Sequence, residues 1–542
     1  MERYVDKGIK KYYDVIIIGG GISGASVAYE AASQGLKVAL FEKGDFGAAT
    51  SAATTKLIHG GLRYLKNLEF GLVRESLMER RILENIAPNF VYPLPFMVPT
   101  YKNFKNNKQI LLTGMLLYDV LSFDKGFTKD KSKKLPHFKM LSKEKVKTAE
   151  ECVKVKGLTG ASVYYDCQSI FPERLTLAFI KSAIKYGADV ANYSKVTSFI
   201  HENNMIKGVN VKDLILEKEY EIKAPLTINC AGPWVDIVLN SADISDNKHI
   251  IQRSEGIHII TKKLCNKHSV TVMTKSGRHI MFMPWRNHSL IGTTDKEYNG
   301  NPDDYKVTKD GVLGLIDDVN ENYNVKLKYE DVIFTYGGLR PLVDDQTEGS
   351  YETSRKYEIF DNAKDKLDGL ITVEGGKYTT SRQLAINVQK LIDKKLHRKN
   401  KRTITRNEFL AGSEIPDIEK FIDELHVEYK DFSSQSIEYL GRNYGTECHK
   451  IFELARKNKK LNELVSADGE ILAEVEYAVK NEMAFTLSDI LFRRTGIGTL
   501  GYPGKEIFDK VVNYASELLN WDDNRKNREI EIVMQILELP KE

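Results

Sequence analysis

Three glycines and one glutamate carry the sharpest chemical signal in the chain. Gly19, Gly21 and Gly24 follow the apolar run YDVIII (13–18), and Glu42 closes a second apolar run, KVALF (37–41). In that pattern the first glycine permits a tight strand-to-helix turn and the second lets backbone amides approach a pyrophosphate. The third lets the helix pack closely on the strand. The helix starting there offers N–H groups and the positive end of its dipole to an anion. Glu42 can accept hydrogen bonds from both hydroxyls of a ribose, and its charge disfavours a 2′-phosphate and therefore NADP. The pattern predicts dinucleotide binding without choosing between FAD and NAD.

Three further segments combine glycine with polar side chains. Gly44 to Leu65 reads GDFGAATSAATTKLIHGGLRYL, with hydroxyls at Thr50, Ser51, Thr54 and Thr55, then Lys56, His59, Arg63 and Tyr64. Amides and hydroxyls at that density can satisfy a pyrophosphate and a ring system. YGGLRP (336–341) places Arg340 just after a glycine turn, and EGGKYTT (374–380) places Lys377 and hydroxyls where another helix starts. Glycines there could admit an isoalloxazine edge, and Lys377 or the helix dipole could stabilise charge on a reduced flavin.

These groups need elements to position them. The first forty residues form one βαβ unit: strand, glycine turn, the helical stretch ASVAYEAASQG, and a second strand ending at Glu42. LTINC (226–230) before AGP and LITV (370–373) before EGG are further short apolar strands ending in glycine. The nucleotide-binding part is thus expected to be discontinuous. Runs such as GIHIIT, HIMFMPW and SLIGTT between residues 250 and 340 predict a largely antiparallel sheet, suited to one wall of a substrate cavity. KKLHRKNKRTITR (394–406) reads as a basic linker, and beyond Glu408 apolar residues recur at helical spacing. The expected division is 1–100, 150–240 and 335–395 for the nucleotide-binding domain, 101–149 and 241–334 for a substrate domain with an insertion, and 396–542 for a helical cap. The fold class is α/β.

Composition narrows the class. Lys+Arg total 79 against 75 Asp+Glu, a net charge of +4, which removes charge as an argument for nucleic acid. Five dispersed cysteines with no CxxC pattern read as reduced structural thiols, so neither zinc nor an iron–sulfur cluster is expected. No apolar run reaches the roughly eighteen residues of a spanning helix, and MERYVDKGIKKYYD lacks an export signal core. A cytoplasmic protein is expected.

The blocks IIIGGGISGASVAYEAASQG, SAATTKLIHGGLRYL, CAGPW, IGTTD, GGLRPL and EGGKYTTSR together resemble the FAD-dependent glycerol-3-phosphate dehydrogenases, over about Tyr13 to Arg382. DILFRRTGIGTLGYPG (489–504) carries the resemblance into the C-terminal part, and Thr55 stands where serine is usual. The resemblance implies a glutathione-reductase-type FAD-binding Rossmann fold interleaved with a β-rich substrate domain, plus a C-terminal helical domain. It implies FAD contacts at Gly19, Gly21, Ser23, Gly24, Glu42 and Lys43, then at Thr50, Ser51, Thr54, Thr55 and Lys56. Further contacts fall at Val196, Ala231, Gly232, Trp234, Gly376, Lys377, Tyr378 and Thr379. It implies oxidation of sn-glycerol 3-phosphate to dihydroxyacetone phosphate by hydride transfer from C2 to FAD N5.

A phosphate dianion calls for forked donors. The resemblance assigns Arg63, Tyr64, Arg340, Arg355 and Lys377 to substrate binding, with Arg340 and Lys377 also beside the chemistry. His59, one helical turn before Arg63, and His258 in SEGIHIIT are the two candidate bases; neutral imidazole could take the hydroxyl proton. The oxidase branch's extra insertion is not evident, which favours a quinone over oxygen as electron acceptor. A quinone implies peripheral contact with the cytoplasmic face of a membrane, for which the basic stretches 101–108 and 129–134 flank the apolar 110–121. An oxygen-reducing glycerol-3-phosphate oxidase, a flavin amino-acid oxidase and a redox-silent flavin-binding regulator are the alternatives. A homodimer is compatible with the sequence.

Overall fold

The computed structural model describes residues 1–3, 12–65, 67–102, 108–203, 205–242, 249–274, 277–342 and 357–541. Val15–Ile18 is fully buried on both faces, as its unbroken β-branched run requires. It pairs in parallel with Val38–Phe41 on one side and Leu226–Asn229 on the other. Leu370–Gly375 extends the sheet beyond Leu226–Asn229, Asp189–Ala191 extends it beyond Val38–Phe41, and Tyr357–Asp361 closes one edge antiparallel. Strands distant in sequence are therefore neighbours in one six-stranded sheet. The helix Ile22–Ser33 packs between the helices Pro172–Lys185 and Ser381–Lys395. Its small residues, Ala25, Ala28, Ala31 and Ala32, are buried and allow that close approach.

The second large sheet has ten strands. Gln252–Lys262, Ser269–Met273, His279–Trp285, His288–Gly292 and Val332–Leu342 build its central part, almost entirely antiparallel, where the sequence predicts such a sheet. Val91–Tyr101 and Leu158–Ser169 also belong to this sheet, paired with one another over their whole length. The sequence division assigns both to the nucleotide-binding segments, and its boundary between 334 and 335 cuts through Val332–Leu342. All three alternate or bury apolar residues in ways that suit either sheet; pairing across the fold, which periodicity does not encode, selects the larger one. A separate three-stranded meander, Ser194–Glu202, Met205–Asp213 and Lys218–Lys223, flanks the parallel sheet.

The C-terminal part is helical, from Ile418–Glu428 to Asp523–Leu537. The apolar stripes of Lys505–Leu519 and Asp523–Leu537 face inward through Phe508, Val511, Val512, Ala515, Val533 and Leu537. This core is continuous with the ten-stranded sheet: Phe334 stacks on Phe492, and Phe171 contacts both Trp285 and Tyr439 edge-on. Residues 394–406, though largely exposed, are tied to the glycine-turn helix. Arg398 donates to the carbonyl of Gln34 at 2.8 Å, and Thr403 and Thr405 donate to Glu30 Oε2 at 2.8 and 2.6 Å. The basic run thus covers the C-terminal end of the glycine-turn helix, where the dipole favours cations.

Candidate active site

The glycine turn is built around contacts that a side chain would break. A Cβ on Gly19 would lie 2.6 Å from the Cys230 carbonyl oxygen, and one on Gly24 would collide with the Gly19 carbonyl. Gly21 caps the helix without a side-chain hydrogen bond, leaving that N-terminus open to an anion. Ser51 Oγ accepts from the Ile22 amide at 2.9 Å, which brings the 44–56 loop against the helix start, and Ser23 lies half-buried one residue on. Glu42 accepts from the amides of Gly20 at 2.7 Å and Gly44 at 2.8 Å. Desolvation raises its carboxyl above the ordinary range against the pull of those two amides.

Ala231 sits against the glycine turn, its Cα 3.2 Å from where a Gly19 Cβ would be, and Gly232 opens the short turn Gly232–Trp234. The Trp234 indole donates to Asp303 Oδ1 at 2.9 Å, while Lys43 Nζ lies 2.5 Å from the same oxygen and 4.1 Å above the indole ring. Val196, half-buried on the meander, packs beside the parallel sheet's apolar cluster. Thr50 Oγ1 donates to the Leu339 carbonyl at 2.6 Å. Gly338 makes that approach feasible: a Cβ there would lie 2.6 Å from Ala53 Cβ. Thr54 accepts from the Lys56 amide through its hydroxyl at 3.1 Å and from the Tyr336 hydroxyl through its carbonyl at 2.9 Å. Lys56 is turned into a buried ion pair, its Nζ 2.9 Å from Glu173 Oε1.

Two polar clusters flank residues 54–59. In one, Arg63 and Lys377 converge on Tyr64: the guanidinium carbon lies 4.8 Å and Lys377 Nζ 3.8 Å from the ring centroid, and Arg63 donates to the Tyr64 hydroxyl at 3.1 Å. His59 adjoins them. Burial first, opposed by Asp166 and reinforced by Lys377, Arg63 and Arg80, lowers its pKa to about 4, so the imidazole is neutral at pH 7. Its backbone amide donates to Thr379 Oγ1 at 3.3 Å. Lys377 follows Gly376 at the end of the Leu370–Gly375 strand, and the Tyr378 hydroxyl donates to the Pro172 carbonyl at 2.6 Å.

In the other cluster, His258 is buried, stacks on Tyr336 at 5.0 Å, and holds its Nε2 3.2 Å from Thr55 Oγ1. Its Nδ1 is buried without a hydrogen-bond partner. Desolvation, then Arg340 and Lys56, holds it neutral, well below its ordinary pKa. Arg340 lies opposite Ser254 in the strand pair and donates to Thr293 Oγ1 at 2.8 Å and to the Glu255 carbonyl at 3.2 Å. Arg355 falls outside the described residues. Of the other expected site residues, Gly19, Gly21, Ser23, Gly24, Glu42 and Ser51 lie at the glycine turn, and His59, Arg63, Tyr64, Lys377 and Thr379 lie beside one another, whereas Val196 lies on the meander.

Two family models match the chain, one after the other. The family model described as FAD dependent oxidoreductase matches residues 14–381, and that described as the C-terminal domain of alpha-glycerophosphate oxidase matches 403–526. An aerobic glycerol-3-phosphate dehydrogenase of Bacillus subtilis is 31% identical over 549 residues, covering 99% of this chain and 96% of that protein. The chain belongs to the FAD-dependent glycerol-3-phosphate dehydrogenase family. A glycerol-3-phosphate dehydrogenase of Synechocystis is 35% identical over 508 residues, covering 90% of this chain and 89% of the relative. The crystal structure of the Bacillus halodurans glycerol-3-phosphate dehydrogenase complexed with FAD superimposes with a TM-score of 0.79 at 26% identity, covering 99% of this chain and 97% of the other.

For this FAD-dependent dehydrogenase family member, the sequence blocks do not show which groups hold the site residues in place. Asp166 accepts the amide of Gly60, pairs with buried Arg80 and accepts from the Tyr118 hydroxyl at 2.6 Å. Glu173 holds Lys56, and Thr293 with Ser254 holds Arg340. One signal was available: Asp166 interrupts the apolar strand run SVYYDC, and a charge buried in a strand needs partners.

Proposed function

We propose that the protein oxidises sn-glycerol 3-phosphate to dihydroxyacetone phosphate, with a quinone as terminal acceptor. FAD, held at the glycine turn, Glu42 and the 44–56 loop, supplies the C2 hydride acceptor. The convergence of Arg63 and Lys377 on Tyr64 beside a neutral histidine carries this reading. Two cations and a phenol close together suit a phosphate dianion, with charge-assisted hydrogen bonds to its oxygens. His59, neutral and adjacent, takes the C2 hydroxyl proton as hydride leaves. An approaching dianion favours imidazolium and lifts the His59 pKa from its low resting value, which improves it as a base within the complex. Arg340, fixed by Thr293 and the Glu255 carbonyl, directs positive charge at the developing carbonyl oxygen, and His258 orients the carbon chain.

The quinone requires a membrane surface, and the helix Lys108–Leu121 supplies one. Leu112, Leu116 and Val120 recur every fourth residue along its exposed side, and Phe123 and Phe127 beyond it are about 70% exposed. Lys108 at the helix start and Lys131 and Lys134 of the 129–134 run are exposed, whereas Lys133 of the same run is buried on the Pro88 and Val91 carbonyls, and residues 103–107 lie outside the described residues. Exposed apolar side chains together with exposed lysines suit the headgroup boundary of an anionic bilayer. Among the described residues no helix is long and apolar enough to cross a membrane; the contact in this reading is peripheral, on the cytoplasmic face. Steady-state dye reduction tests the substrate assignment: glycerol 3-phosphate supports turnover, and activity confined to glycine or a D-amino acid would overturn it.

A further inference from the structure

The loop after Glu42 is held from an unexpected direction. Asp45 is completely buried, and its carboxylate meets two arginines some 450 positions away: Arg494 at 2.7 and 2.8 Å and Arg493 at 2.6 Å. The Asn192 side-chain amide adds a third donor at 3.0 Å. Burial opposes the charge on Asp45, but Arg494 and Arg493 outweigh it and hold the pKa at about 2. Behind the arginines stands a second tier. Arg494 Nε donates to the Glu482 carbonyl at 2.9 Å, and the Arg494 carbonyl accepts from Arg174 at 2.7 Å. Arg493 also pairs with Asp489, which accepts from Tyr193 at 2.6 Å.

The same loop reaches the glycine turn. Gly44 donates to Glu42 Oε1, Gly47 donates to the Gly20 carbonyl at 3.0 Å, and the Gly44 carbonyl accepts from the Tyr193 amide at 2.8 Å. Residues 44–47 thus lie between the glycine turn on one side and the C-terminal arginines on the other.

We propose that Asp45, Arg493 and Arg494 form a latch by which the C-terminal helical domain fixes the Glu42 loop, so that retention of FAD depends on that domain. The inference rests on reading Glu42 and the glycine turn as the FAD site. Asp45 and the arginines act as positioning residues: an immobile loop presents Glu42 without first paying the entropy of ordering it.

The test compares FAD dissociation constants of the full-length apoprotein carrying Asp45→Asn, Arg493→Lys or Glu42→Gln, together with turnover at saturating FAD. Asp45→Asn is expected to raise the FAD dissociation constant at least tenfold. Arg493→Lys, which keeps the charge but loses the fork, should raise it severalfold. Turnover at saturating FAD stays within twofold in both. The gap in melting temperature between holo- and apoprotein should narrow, since a tenfold weaker ligand removes about 1.4 kcal/mol of linked stability; a purely structural contact would lower both melting temperatures alike. Unchanged FAD affinity in Asp45→Asn and Arg493→Lys, with Glu42→Gln weakened, overturns the latch and leaves the FAD site standing. Unchanged affinity in Glu42→Gln overturns the site reading itself. Should Asp45→Asn fail to fold, Arg493→Lys decides by the same criterion.

Discussion

Cationic side chains in this protein are held by different neighbours. Arg63 and Lys377 lean on the Tyr64 ring, whereas Arg340 is braced by Thr293, Ser254 and backbone carbonyls, and Lys56 is consumed by Glu173. Arg340→Ala should therefore raise KM for glycerol 3-phosphate about 10- to 100-fold, the range of a lost charge-assisted hydrogen bond, while purified protein keeps its flavin absorbance. Equal loss of substrate affinity and flavin would place Arg340 elsewhere. His59→Asn should lower kcat by about 10²- to 10⁴-fold with FAD affinity intact, the usual contribution of a general base; stopped-flow flavin reduction measures it. Arg340, Lys377 and His59 stand out in the sequence because they sit in glycine-rich blocks, and His258 only through the family resemblance. Asp166 and Glu173 were not legible, and Thr293 was visible only as part of IGTTD and not as a partner of Arg340, because each acts through a partner brought near only by folding.

Among the elements, the βαβ unit was readable almost to the residue, since its strand is buried on both faces and its turn tolerates only glycine. The assignment of Val91–Tyr101 and Leu158–Ser169 was not, because a strand's own pattern says that one face is buried and not which sheet it joins. Likewise the basic 394–406 run reads as a mere linker until its bonds to Gln34 and Glu30 are seen. The loop-to-strand contact at Gly338 gives an element-level test. Gly338→Ala places a methyl group 2.6 Å from Ala53 Cβ and should push the Thr50–Ala53 loop from the strand, at a cost of about 1–3 kcal/mol. Thermal unfolding and flavin content of the purified variant should both fall; a variant that melts and binds flavin like the parent would mean the loop yields without consequence.

At the scale of the whole molecule, the parallel sheet, the ten-stranded sheet and the C-terminal helices form one assembly, with a core shared between the last two and buried ion pairs between the first and the last. The helical C-terminus was legible as helices, but its attachment to the cofactor loop was not, because Asp45 and Arg494 are separated by most of the chain. The exposed stripe on Lys108–Leu121 gives the molecule a face. Leu116→Glu combined with Val120→Glu should reduce sedimentation with anionic phospholipid vesicles at least tenfold while dye-coupled kcat stays unchanged; undiminished sedimentation would move the membrane contact elsewhere. The central claim is a flavin reduced directly by a phosphorylated secondary alcohol, and anaerobic titration of the FAD-loaded protein tests it most directly. Glycerol 3-phosphate should bleach the visible flavin absorbance with one equivalent of dihydroxyacetone phosphate formed per flavin. A bound flavin that this substrate leaves oxidised, while an amino acid reduces it, would contradict the account.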